Sequence, residues 1–393
     1  VSIFDVQHQD RAHRVIQRSL ASGRMPHAYL FAGAEGIGRE LLAERLARLL
    51  LCGARIRRAL PEPIAGALPD GHGWDACGRC EDCILTTAGT HPDLHRIYRQ
   101  LSHQHPDAEV RKRKAQDLSI DVIRHFVIDR VGLRPRQGRA KVFIVREAER
   151  LSDQAQNALL KTLEEPPSDT YLILLTTAMD RMLPTTRSRC QQVSFGLLPI
   201  DFVASQLRSL RPGAAEEVTS YLARRSGGSI GQALVQFDDG IHAMKLKWGH
   251  QLVTLTARPA GFSAHALAAP FLADAKELAR CAAQRDPEIT DSVATRASLQ
   301  VLFSILADFY LDGLRRNLGM SASWVNSDQM DVVEYLGTAM SAGVIRKCLA
   351  QIAEADANAG RNAAFELVLE GLFIRLAAVV EGRALVLSRR SAG

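Results

Sequence analysis

A chain of 393 residues, 47% hydrophobic and 23% charged, has an ordinary globular composition and enough length for two or three domains. Its formal net charge of +6 permits contact with nucleic acid without establishing it, and no apolar run approaches the roughly 18 residues of a membrane span. The opening V-S-I-F-D-V-Q-H-Q-D has no basic stretch followed by an apolar core, which argues against a secretion signal there, so the expected compartment is the cytoplasm.

In chain order, Tyr29–Ala32 reads as a buried strand running into A-G-A-E-G-I-G-R-E. Gly33, Gly36 and Gly38 space this segment like the phosphate-binding frame G-x-x-x-x-G-K-[ST], with Arg39 at the lysine position and Glu40 at the hydroxyl position. In that frame backbone N–H groups cradle phosphates, the lysine reaches the β/γ-phosphates and the hydroxyl binds magnesium. Both working residues are replaced here. The backbone N–H groups at the helix start still favour an anion, which leaves weak nucleotide binding open, and Arg39 and Glu40 can alternatively pair and fill the site. The following helix carries the stripe Leu42, Leu46, Leu49 and Leu50. Residues 53–76, rich in Pro and Gly, read as an extended loop.

Four of the seven cysteines follow as Cys52, Cys77, Cys80 and Cys83. The run C-G-R-C-E-D-C lets three thiols converge, and Cys52 at the end of the preceding helix can supply the fourth ligand of a tetrahedral structural zinc site. A disulfide is disfavoured in a reducing compartment. An iron–sulfur cluster of the bacterial ferredoxin type needs a further Cys-Pro that Ile84-Leu85-Thr86-Thr87 does not provide. His72 and His91 are the competing ligands, with a loop or surface role as the alternative. Further on, Lys141–Val145 and Tyr171–Thr176 are nearly continuous apolar runs, as expected of parallel strands covered on both faces. A helix capped by Ser152 runs through Leu163 and stops at Pro166 and Pro167. Short helices with a turn at Gly227-Gly228 fill about 196–245. The remainder reads as entirely helical, with apolar periodicity at Ser298–Leu318 and Ala363–Val380. The fold class expected is α/β: a nucleotide-binding sheet domain over 1–195 with a zinc module around 52–83, a small helical domain over 196–245 and an all-α domain over 246–393.

The strings N-A-L-L-K-T-L-E-E-P-P (Asn157–Pro167) and T-R-S-R-C (Thr186–Cys190) resemble those of the bacterial DNA polymerase III clamp-loader family of AAA+ proteins. So do S-G-R-M-P-H-A-Y-L-F-A-G (Ser22–Gly33), H-P-D-L-H (His91–His95) and, more loosely, N-A-A-F-E-L-V-L-E-G-L-F-I-R-L (Asn362–Leu376). The resemblance implies a P-loop-type AAA+ domain with a zinc insert, a helical lid and a collar that holds a ring together. In active relatives the strand matching Lys141–Val145 ends in an Asp-Glu pair that holds magnesium and polarises water; here the pair is Arg146-Glu147. The turn G-S-I-G-Q-A-L puts Gly231 where active members place a sensor arginine, and Thr177 stands where they sense phosphate. An arginine at the magnesium position repels a cation, and Arg39 is no substitute for lysine in a tight phosphate site.

The resemblance therefore implies a vestigial nucleotide site made of Gly33, Gly36, Gly38, Arg39, Glu40, Arg146, Glu147 and Thr177 in a subunit that is not itself an enzyme. It also implies that Arg189 of Ser188-Arg189-Cys190 acts in trans as an arginine finger on a neighbour's ATP. The alternative for Arg189 is a local pair with Glu164 or Glu165. Cys190 is expected to be a packed residue and Ser188 to position the turn. The implied partners are the delta and gamma/tau subunits, a sliding clamp and primer–template DNA, with no membrane. The basic runs Arg111–Lys114 and Arg134–Lys141 are candidate phosphate contacts, the former alternatively a solvated charge run. Two other functions stay in contention: an ATP-hydrolysing gamma/tau-type ATPase, and a zinc-dependent nucleic-acid-binding module.

Overall fold

The structure, a computed structural model, describes residues 2–261, 263–320, 324–361 and 364–382. It divides into two units, Val1–Pro199 with Gly228–Gln232, and Ile200–Gly227 with Ala233–Gly393.

The first unit contains helix α1 (Asp10–Ala21), strand β1 (Ala28–Ala32), helix α2 (Arg39–Leu51), strands β2 (Ile56–Ala59) and β3 (His72–Asp75), helix α3 (Glu81–Ala88) and strands β4 (Leu94–Ile97), β5 (Lys141–Val145), β6 (Thr170–Thr176) and β7 (Gln191–Ser194). Five strands form one sheet in the order β4-β5-β6-β1-β7, every neighbouring pair parallel. The apolar runs occupy its centre: Leu30 lies opposite Leu174, which lies opposite Val145. Helix α2 packs against β5 and β6, with Leu42, Leu46, Leu49 and Leu50 all fully buried. A core of Leu30, Phe143, Leu172 and Leu174 meets Leu159 and Leu163 of helix Asp153–Glu164. That helix starts where its sequence says: the Ser152 Oγ accepts the Ala155 N–H at 3.2 Å.

The sheet has two strands beyond those read from the sequence, β4 and β7, one at each edge. Q-Q-V-S of β7 buries only Val193, so no apolar run announces it. Residues 53–76 also differ from the expected extended loop. They form an antiparallel ladder of β2 with β3, in which Arg57 pairs with Asp70 at 2.7 Å and lies 5.1 Å over the Trp74 ring. Between the strands Leu60, Ile64, Ala67 and Leu68 make a small core of their own with Phe4 against it. The Pro and Gly residues shape the connection, and the apolar residues among them hold it.

The second unit is helical. Its longer helices are Ile241–Ala257, Ala264–Arg285, Asp291–Asn317, Ala342–Ala359 and Phe365–Val380. Trp248, Phe271 and Phe373 pack edge-on and stacked at 4.6–6.1 Å in its interior. Helix Asp291–Asn317 is long and apolar enough by length and composition to cross a membrane. Its Leu299, Leu302, Phe303, Leu306 and Phe309 are instead buried against neighbouring helices, as in a protein core. The fully buried Lys245 ammonium donates to Asp328 Oδ1 at 2.7 Å, and His242 Nε2 lies 2.7 Å from Asp328 Oδ2. Asn362 and Ala363, which open the C-terminal string, lie outside the described residues; the helix is described from Phe365.

Candidate nucleotide site and metal centre

The glycine loop leaves β1 at Ala32, and the Gly33 N–H donates to Thr176 O at 3.2 Å. Gly36 at φ +72° and Gly38 at φ +102° take left-handed conformations that side chains rarely adopt, and Gly38 is the N-cap of α2. Residues 228–232, which belong to the same unit, sit directly on this loop. The Gly231 N–H donates to Gly36 O at 3.1 Å and the Ser229 hydroxyl to Glu35 O at 2.7 Å. A Cβ on Gly231 would stand 2.7 Å from Gly36 Cα, so the contact requires both glycines.

The side chains that replace the working groups are engaged elsewhere. Arg39 is 9% exposed and turns back to donate from Nε to Ala34 O at 3.0 Å. Burial lowers its pKa from the ordinary range, while Glu149, Glu35 and Glu40 pull it back up. Glu40 forms an ion pair with Arg146. The pairing of Arg39 with Glu40 that the sequence allowed is therefore not the one formed. Glu40 stands at the hydroxyl position of the glycine-loop frame and Arg146 directly follows β5, and a guanidinium–carboxylate pair joins them. Glu147, at φ +49°, accepts from Arg99 Nε at 3.0 Å and lies 3.1 Å from Arg150 Nε. Thr177, just past β6, donates its hydroxyl to Glu149 Oε1 at 2.7 Å and its N–H to Oε2 at 3.2 Å. Burial raises the Glu149 pKa, but these bonds outweigh it and hold the carboxyl below its ordinary value. Glu149 and Arg99 were not singled out from the sequence. Arg99 is 48 residues from Glu147, and no local pattern signals that pair.

The four cysteines converge. Their Sγ atoms all lie within 4.8 Å of one another, with Cys52–Cys80 at 3.8 Å and Cys77–Cys83 at 4.0 Å. A tetrahedral zinc with Zn–S bonds of about 2.3 Å requires S–S separations of about 3.8 Å. Cys52 caps the C-terminus of α2, and Cys80 caps the N-terminus of α3 one turn before Cys83. Backbone N–H groups orient the sulfurs, Cys77 N–H to Cys52 Sγ at 3.4 Å and Cys80 N–H to Cys77 Sγ at 3.3 Å. Burial pushes the Cys83 thiol up to about 12, and backbone N–H groups led by that of Arg79 lower Cys77 to about 6. The four thiols can hold one metal ion and suit zinc, with no ligand position left for water. Neither histidine joins them. His72 is exposed, its Nδ1 2.7 Å from Asp70 O. His91 lies in a loop, as expected, but not at the surface. It is 4% exposed, 3.4 Å from Asp82 Oδ1, and its Nδ1 accepts the Asp93 N–H at 3.1 Å.

Arg189 follows the short helix Pro184–Ser188 and forms the local pair with Glu164, Nε to Oε1 at 2.7 Å. A terminal nitrogen also donates to Thr185 O at 3.0 Å, and the Ser188 hydroxyl donates to the same carbonyl at 3.1 Å. Cys190 is buried, and burial pushes its thiol up to about 12. The run Arg111–Lys114 is largely paired locally. Arg111 donates to His105 O and Pro106 O, Lys112 meets Glu109 at 2.8 Å and Arg113 meets Asp121 at 3.3 Å.

A five-stranded parallel sheet carrying a glycine loop stripped of its lysine and hydroxyl, beside a four-thiol centre, defines a nucleotide-binding-type α/β domain with an altered phosphate site. Residues 8–198 match the model of the family described as "DNA polymerase III, delta subunit". The "DNA polymerase III subunit delta'" of Escherichia coli (strain K12) is 34% identical over 219 residues, 56% of this chain and 57% of that protein. The protein of the same name from Pseudomonas aeruginosa is 36% identical over 206 residues, 52% of this chain and 53% of that one. "DNA polymerase III subunit tau" of E. coli is 32% identical over 241 residues, 60% of this chain and 32% of that protein. The chain spans little more than half the length of the delta-prime relatives it matches. What the chain is similar to over this region is therefore a subunit of DNA polymerase III, with delta-prime proteins among the relatives at 34–36% identity.

Proposed function

We propose that the chain is a non-hydrolysing subunit of a replicative clamp loader that braces the ring and completes a neighbour's ATP site with Arg189. The observation that carries this reading is the Glu40–Arg146 ion pair: both positions that would hold magnesium are filled by charges that satisfy each other. The turn of residues 228–232 on Gly36, with Glu147 and Thr177 engaged by Arg99 and Glu149, supports it further. A subunit needs no working site of its own to donate an arginine to the next one. In this reading residues 1–195 are the AAA+ domain, 196–245 the lid and 246–393 the collar. Cys52, Cys77, Cys80 and Cys83 hold a structural zinc. The partners are the delta and gamma/tau subunits, a sliding clamp and primer–template DNA, and the compartment is the cytoplasm. In the free chain Arg189 is held by Glu164, so assembly has to exchange that carboxylate for phosphate oxygens.

The test is an ATPase assay on the purified chain and on the complex reconstituted with delta and gamma/tau partners. The expected result is no turnover by the chain alone, and a complex carrying Arg189→Ala that assembles but hydrolyses ATP at least about tenfold more slowly, a loss of about 1.4 kcal/mol in barrier lowering. Normal DNA-stimulated turnover by that complex removes the finger assignment. The tau match at 32% identity keeps a gamma/tau-type ATPase as the second reading; turnover by the chain alone, abolished by Arg39→Ala, would establish it.

A further inference from the structure

The basic run Arg134–Lys141 has surroundings that Arg111–Lys114 lacks. The strands of the sheet are parallel and the glycine loop follows the end of β1, so the starts of β4 and β5 lie at the opposite end of the sheet. There a pocket of about 450 Å³ is lined by Pro92, Asp93, His95, Arg130, Leu133, Arg134, Arg136 and Lys141. Nucleotides in open α/β sheets bind at the carboxyl ends of the strands, so this pocket is not the fold's usual site.

At its base Lys141 is 3% exposed, and its ammonium donates to two carbonyl oxygens, Arg130 O at 2.8 Å and Leu133 O at 2.6 Å. An ammonium has three protons, so one remains for the pocket. Among the described residues no carboxylate lies within ion-pair distance of Lys141, and the Arg134 and Arg136 guanidinium groups have no hydrogen-bond or ion-pair partner. Arg130 lies 5.0 Å over the Phe126 ring. The one acid in the lining, Asp93, is fully buried and turned onto the loop backbone. It accepts the N–H groups of Arg136 at 2.7 Å, Gln137 at 2.9 Å and Gly138 at 2.9 Å. It offsets one positive charge and fixes the loop that presents the arginines. His95 stacks on Phe143 at 4.7 Å, and burial with the charges of Arg130 and Lys141 pushes its pKa down to about 4, so it enters the pocket neutral. Four cations facing one satisfied carboxylate form a focused positive field, and arginine forks match phosphate oxygens two at a time.

We infer that this pocket binds an oligophosphate, two or three linked phosphates carried either by a free small molecule or by the backbone of a single strand of nucleic acid. Its volume lies within the roughly 300–1,000 Å³ of small-ligand sites, which suits a phosphate chain with its attached group. The site is separate from the glycine loop and stands whether or not that loop binds nucleotide.

Calorimetric titration of the full chain with inorganic pyrophosphate tests it, with the His95 ring resonance followed by NMR in parallel. The wild type is expected to bind with a shift of the His95 signal. The double variant Arg134→Gln/Arg136→Gln, altered only at exposed and unpartnered side chains, is expected to bind about 100-fold more weakly, about 2.8 kcal/mol. Absence of binding by the wild type at about 1 mM pyrophosphate, or equal affinity in the double variant, overturns the inference. So does a response confined to residues 33–39 and abolished by Arg39→Gln. A short single-stranded oligothymidylate separates the sources. If it displaces pyrophosphate and fails on the double variant, the site reads nucleic-acid phosphates; if pyrophosphate stays bound in its presence, the site takes free phosphates.

Discussion

The contact between Gly36 and Gly231 makes a sharp mutational prediction. Substituting Gly231→Ala places a methyl group 2.7 Å from Gly36 Cα, backbone against backbone, where no flexible side chain can move aside. Residues 228–232 must lift off the loop. Two hydrogen bonds then fail, Gly231 N–H to Gly36 O at 3.1 Å and Ser229 Oγ to Glu35 O at 2.7 Å, each contributing a net of about 1 kcal/mol. Gly231 has no left-handed φ, so the alanine by itself reduces unfolded-chain entropy and returns about 0.5 kcal/mol. The net loss is about 1.5 kcal/mol, or about 3–6 °C in the melting of a unit of some 200 residues. The assays are thermal unfolding and amide exchange at residues 33–38, which should speed up in the variant. Gly66→Ala is the control, because nothing lies within 4 Å of its Cβ position. If Gly231→Ala melts with the unsubstituted chain and leaves loop exchange unchanged, residues 228–232 do not hold the loop, and the account of a closed phosphate seat fails.

Metal analysis of the chain purified without added metal should find one zinc, and Cys80→Ser should abolish it and expose residues 77–88 to protease while the sheet persists; a metal-free native preparation contradicts the zinc assignment. Arg189→Ala in the isolated chain should cost less than about 1 kcal/mol in urea unfolding, because the Arg189–Glu164 pair is part-exposed, at 33% and 48% of its side-chain areas, and screened. A larger loss would make Arg189 a structural residue. Asp328→Asn should destabilise the helical unit by about 3–5 kcal/mol, since it leaves the Lys245 ammonium buried without its carboxylate. Burial raises the Asp328 pKa, but His242 and Lys245 outweigh it and bring it to about 2, below the ordinary 3.8. A depressed carboxylate contributes stability that is complete above its unfolded pKa and drains as pH falls toward its folded one. The urea midpoint of the wild type should therefore drop between about pH 4 and pH 2, and that of the Asp328→Asn protein should drop less.

Buried strands and striped helices were legible because burial on both faces forces continuous apolar runs. Tyr29–Ala32, Lys141–Val145 and Tyr171–Thr176 each fall within an observed strand, and Leu42, Leu46, Leu49 and Leu50 are all buried. Edge strands carry no such run, so no sequence signal marks Leu94–Ile97 or Gln191–Ser194 as strands. In the segment 53–76 Pro and Gly signal a loop, while Leu60, Ile64 and Leu68 among them supply enough apolar surface for a small core. The cysteine centre was legible from spacing alone, since C-G-R-C-E-D-C confines three thiols and a helix end delivers the fourth. Partners in the altered nucleotide site were not. Glu40 lies 106 residues from Arg146, and adjacency made Arg39 look like its partner, but consecutive residues on a helix point to different faces. His91 looked like a loop histidine and is one, yet Asp82 and Asp93 hold it in the interior.

Those nonlocal pairings bear on how the altered loop should be understood. Removing a lysine, a hydroxyl and an aspartate from a phosphate site leaves inward-facing backbone and side-chain groups whose ligands are gone, and each unsatisfied group costs about 1–3 kcal/mol once buried. In this chain the replacements answer one another. Arg39 takes up the loop carbonyl of Ala34, Glu40 takes Arg146, Glu147 takes Arg99 and Arg150, Thr177 takes Glu149, and Gly231 meets Gly36. Each of these residues has a partner, which is what a rigid domain requires of buried polar groups. Arg189 differs in kind. Its carboxylate partner lies at the surface, the pair is part-exposed, and giving it up costs little. The loop positions are tied inward and the arginine at the surface is held loosely, a distribution that fits the proposed role of supplying a group to a neighbour.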